Sequence, residues 1–97
     1  MERISKLLLK GDIEGAVKLT ADLLGEYGRD FLDYLELMEG LSKSFNPESY
    51  HDPLRIMKTS LTAVMKKAYK NRDYEKIRVI RDIIQIIKDF EVEDDIS

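Results

Sequence analysis

Cysteine is absent from the 97 residues, and histidine occurs once, at His51. Without sulfur there is no disulfide, no thiolate nucleophile, no iron–sulfur cluster and no cysteine-ligated zinc site. A single histidine excludes a histidine-rich metal centre. Two prolines and five glycines are too few for a loop-rich or all-β chain. Apolar runs stay short of the ~20 residues that a membrane span requires, and Met1-Glu2-Arg3-Ile4 lacks the form of a secretory leader. The expectation is a cytoplasmic, reduced protein with no membrane contact. What is present, 43% hydrophobic and 36% charged residues, is globular rather than disordered, and the length fits one domain spanning 1–97.

Hydrophobic spacing of three and four dominates and no segment alternates strictly, so the fold class is all-α. The first helix covers about residues 2–10, with Ile4, Leu7 and Leu8 on one side. Gly11-Asp12 interrupts it, and Asp12 caps a second helix over about 13–26 whose stripe is Ile13, Ala16, Val17, Thr20, Leu24 and Tyr27. Gly25 and Gly28 weaken or end that helix. Asp30 is the next cap, opening a third helix over about 31–45 with Phe31, Tyr34, Leu35, Met38, Leu41 and Phe45 inward. Residues 46–52 form the loop. Asp52-Pro53 then supplies an N-cap followed by proline at the first helical position, where its missing N–H costs nothing. A fourth helix runs over 53–70 and a fifth over 73–90, leaving an acidic, frayed tail at 91–97. Short connections make this a five-helix bundle of helical hairpins.

Asp12-Ile13-Glu14 and Asp73-Tyr74-Glu75 stand in matching surroundings 61 residues apart, with Ile4, Leu7 and Leu8 aligning with Met65, Ala68 and Tyr69. Downstream, Ala16, Leu19 and Leu23 align with Ile77, Ile80 and Ile84. The stretch Ala68-Tyr69-Lys70-Asn71-Arg72-Asp73-Tyr74-Glu75-Lys76-Ile77, and more loosely Leu7 to Ala16, resembles the junction between the two helices of a tetratricopeptide repeat. That resemblance implies stacked helical hairpins that bind partner segments.

The fifth helix carries the strongest signal. Two seams lie within about half its circumference: Ile77, Ile80, Ile84 and Ile87, and Val79, Ile83, Ile86 and Phe90. Burying eight such side chains is worth roughly 12–24 kcal/mol as an upper bound, against a total stability of ~5–15 kcal/mol for a small domain. The helix therefore sits centrally in the monomer, or packs on its own bundle and on another chain as well. Pairing with a second copy through this helix is the expectation, with a dimer favoured. Heavy use of isoleucine with Glu, Lys and Arg also fits a heat-adapted source.

Charge is laid out in blocks beneath a net charge of −3. Residues 54–81 hold nine basic side chains against Asp73 and Glu75, whereas residues 1–45 and 82–97 are acidic. On the fourth helix Arg55, Lys58, Lys66 and Lys70, with Thr59 and Thr62, oppose the apolar arc of Leu54, Met57, Leu61, Val64, Met65 and Ala68. Such a face suits a polyanion, nucleic acid included, or meets the acidic positions Asp22, Glu26, Asp30, Asp33, Glu36 and Glu39 across the bundle or an interface.

Raw material for catalysis is thin. Glu36-x-x-Glu39 with Glu91-x-x-Asp94 superficially resembles the magnesium-binding carboxylates of all-α nucleotide pyrophosphohydrolases, although helix periodicity turns Glu36 and Glu39 to solvent. Tyr50-His51-Asp52 has general-base potential, but no nucleophile is paired with it. Gly-rich phosphate loops and nucleophile elbows are missing, and the methionines on apolar stripes fill core. No catalytic, cofactor or metal residue is assigned, and no cofactor is expected. The leading reading is a non-enzymatic, self-associating protein–protein interaction module. Polyanion binding and a magnesium-dependent carboxylate hydrolase are the alternatives.

Overall fold

Two corners of the same construction organise the chain, one after each copy of the repeated stretch. The computed structural model describes the backbone of residues 2–45 and 53–96, and side chains within 2–41 and 53–91. In order come α1 (Glu2–Leu9), α2 (Ile13–Leu24), a 3-10 turn (Gly25–Tyr27), α3 (Gly28–Phe45), α4 (Pro53–Lys70) and α5 (Tyr74–Ile96). Among the described residues there is no strand, and no helix is long and apolar enough to cross a membrane. Tyr50, His51, the Asp52 cap and the rest of the loop at 46–52 lie outside the described residues.

At the first corner the Gly11 N–H donates to the Leu8 carbonyl and the Asp12 N–H to the Leu7 carbonyl. At the second, Arg72 donates to Tyr69 and Asp73 to Ala68 in the same pattern. Both are Schellman closures, which need a left-handed residue at the turn. Gly11 supplies it with φ 78° and Arg72 with φ 57°. The next residue caps the following helix: the Asp12 carboxylate accepts from the Gly15 N–H at 2.9 Å, and Asp73 accepts from the Lys76 N–H at 3.3 Å. The 61-residue correspondence is thus a repeat of backbone geometry as well as of residue type.

Two boundaries differ from the sequence expectation. Asp30 does not cap α3, which begins at Gly28 directly after the 3-10 turn. Gly28 sits so close to the Ala21 carbonyl that no Cβ fits, and this approach lets the chain restart without a loop. Asp30 instead receives the Lys67 ammonium of α4. The helix expected to stop near residue 90 runs on to Ile96, because no glycine or proline intervenes and Glu91 is tied to Lys58. The 91–97 stretch is therefore helical up to its penultimate residue rather than frayed from 91.

α5 packs against α1, α2 and α4, while α3 packs against α2 and α4. Ile77, Ile80, Ile83 and Ile87 are buried, and Val79, Ile84, Ile86 and Phe90 are partly buried against the same core. Around them stand Ile4 and Leu8 of α1, Ala16 and Leu24 of α2, Phe31 of α3, and Met57, Leu61, Val64 and Ala68 of α4. The neighbour that covers most of both isoleucine seams is the protein's own chain.

Candidate interaction surfaces

Large apolar side chains reach solvent on other helices as well. Leu37 and Leu41 of α3, one turn apart, are 54% and 45% exposed. They line a shallow cleft with Asp33, Glu36 and Gly40, where the missing side chain of Gly40 opens the space between them. Leu37 lies on the flank of α3 away from the Phe31, Leu35 and Met38 stripe, and Leu41 at that stripe's edge. Leu41 belongs by spacing to the inward stripe expected of α3, whereas Leu37 does not. The only sequence sign of the strip is Leu37, four residues before Leu41 and off the main stripe. Leu32 of α3 and Leu9 at the end of α1 are also exposed.

The basic face of α4 is divided. Arg55, Lys66 and Lys70 point outward. Lys58 is partly buried, and its Nζ lies 2.9 Å from Glu91 Oε2 of α5. Lys67, also exposed, reaches Asp30 Oδ2 of α3 at 2.6 Å. The Asp30 carboxylate holds the Lys67 ammonium above the ordinary lysine value of 10.5, first through the hydrogen bond and then through charge attraction. The structure therefore brings Lys58 and Lys67 onto acidic partners of flanking helices and leaves Arg55, Lys66 and Lys70 to solvent.

α2 ends with no basic residue of its own in the last turn. Lys76 of α5 supplies one, its ammonium 3.4 Å from the Leu23 carbonyl and beside Gly25. A cation there complements the negative end of the helix. The Asn71 side-chain amide donates to the Tyr27 hydroxyl at 3.1 Å, so the second corner is fixed onto the end of α2 and the 3-10 turn.

Glu36 and Glu39 are exposed on α3, as their periodicity predicts. Glu91 is taken by Lys58, and the side chain of Asp94 is outside the described residues. Among the described residues no group of three or more His, Cys, Asp or Glu could hold a metal ion. Comparison with protein-family models, with curated proteins and with solved structures gives no match.

Proposed function

We propose that this chain is a cytoplasmic, non-enzymatic interaction module: a five-helix hairpin bundle with α5 as its internal spine, which pairs with a second copy. The observation that carries the reading is the exposed Leu37–Leu41 strip on α3, left open by a chain that buries isoleucine thoroughly elsewhere. A two-fold contact would set each strip against its own copy, so one patch serves both sides. Each leucine still has about half its surface to bury, which supports a modest, micromolar association rather than an obligate dimer. The partly buried flank of α5, with Val79, Ile86 and Phe90, is the second place where a copy could complete the packing.

Asp33 and Glu36 flank the strip, so pairing would bring like charges together. Salt screens that repulsion. Light scattering across micromolar concentrations tests the reading: a mass of two chains, held more firmly as salt rises, is expected. A strict monomer throughout removes self-association.

Polyanion binding is the second reading, favoured by the outward position of Arg55, Lys66 and Lys70, with Lys58 already occupied by Glu91. Its salt dependence has the opposite sign, because released counterions weaken binding as salt rises.

A further inference from the structure

The two Schellman corners share a backbone but not a surface. In the common register Leu8 corresponds to Tyr69, Gly11 to Arg72 and Ile13 to Tyr74. At the first corner Leu8 is 2% exposed and Ile13 is partly buried. At the second, the same two positions are open, with Tyr69 53% and Tyr74 71% exposed. A position released to solvent would normally turn polar, yet both carry a large ring. They line one cleft of about 710 Å³ with Ile77, Arg78, Arg81, Asp82 and Gln85 of α5, where the two arginines, one turn apart, outnumber the single carboxylate.

Arg72 adds a second anomaly. It holds φ 57° where the sister corner uses glycine, a conformation that costs an L side chain free energy that Gly11 does not pay. Strained non-glycine residues of this kind gather at functional sites, and this one places a cation between the two rings in sequence. The ion pairs among the described residues, Lys18–Glu14, Lys58–Glu91 and Lys67–Asp30, engage none of Arg72, Arg78 or Arg81.

From these observations we infer that the α4–α5 corner is a binding site for single-stranded nucleic acid, with bases stacking on Tyr69 and Tyr74, phosphates held by Arg78 and Arg81 of the cleft, and Arg72 at the adjoining turn adding positive charge beside it. Exposed rings beside arginines are the combination that single strands use, since every unpaired base offers a face and every link a charge. A duplex hides its base faces, and an acidic peptide would leave the tyrosines without a role. The site is separate from the α3 strip, so either proposal stands or falls without the other.

Fluorescence anisotropy with labelled oligo(dT) and oligo(U) tests it on the full chain. Binding is expected at ~50 mM salt and should weaken strongly by ~200 mM. Tyr69→Ala and Tyr74→Ala should each lose at least ~5-fold in affinity, while Tyr69→Phe, which keeps the ring, retains it. Arg78→Ala or Arg81→Ala should flatten the salt dependence by about 0.7 in the log–log slope per charge removed. Arg72→Gly separates function from fold: it should raise the melting temperature by relieving the backbone and yet weaken binding. Absence of binding at ~50 mM salt, undiminished affinity in both alanine variants, or equal affinity for a duplex of the same sequence overturns the inference.

Discussion

Two buried hydroxyls show how differently one polar atom can fare in this core. Thr20 is fully buried on α2, and its hydroxyl donates to the Ala16 carbonyl at 2.7 Å. Ser60 is equally buried on α4, but its Oγ finds no partner. An unsatisfied buried hydroxyl costs about 1–3 kcal/mol. Ser60→Ala should accordingly be neutral or stabilising in urea denaturation, against the usual cost of a core substitution, whereas Thr20→Ala should destabilise. Glycines divide in the same way. Gly28→Ala would drive a methyl group into the Ala21 carbonyl, backbone against backbone, and should cost about 1–3 kcal/mol. Gly40→Ala meets nothing within 4 Å and should stabilise the helix by about 0.5–1 kcal/mol. A shared unfolding assay on both variants checks the contrast, and equal effects would contradict it.

Elements were legible where their signals are local. Asp12 and Pro53 mark real helix starts, and Gly11 and Gly25 mark real ends, because caps and left-handed turns depend on a few neighbouring residues. The start of α3 was not legible, since the tolerance for a turn at Gly28 depends on where Ala21 lies in space. Nor was the extent of α5, whose acidic end is held by a lysine 33 residues earlier in the chain. The α3–α4 link is likewise tertiary. The raised Lys67 value means that its contribution is fully present below the ordinary 10.5 and is lost only as pH climbs through that higher value. The gap in melting temperature between the natural chain and Lys67→Met should therefore stay level from neutral pH to about 10 and close above it. A gap that closes below pH ~9 would contradict the assignment.

At the scale of the whole molecule, the expectation for α5 was pairing with a second copy, and the structure shows its apolar residues buried or partly buried against the protein's own core. Its helical neighbours α1, α2 and α4 come from three separate stretches, and their convergence depends on how both corners fold back. Ile83, fully buried on α5, belongs to the flank that could have faced a second chain. Ile83→Glu should now unfold the monomer, with loss of helical circular dichroism at any protein concentration, because a buried charge without a partner is costly. A folded, soluble monomer carrying that substitution would contradict the burial of Ile83 and favour α5 as the interface. The charge blocks, by contrast, were legible as blocks but not as pairs: Lys58 and Lys67 meet acids from helices on either side of α4.

Sedimentation equilibrium of a Leu37→Glu/Leu41→Glu double variant beside the natural chain bears most directly on the claim that the α3 strip faces a second copy. Both side chains are already half in water, so the variant should keep its helical fold and sediment as a single chain while the natural protein sediments as two. A folded variant that still carries the mass of two chains would place the contact elsewhere and contradict the account.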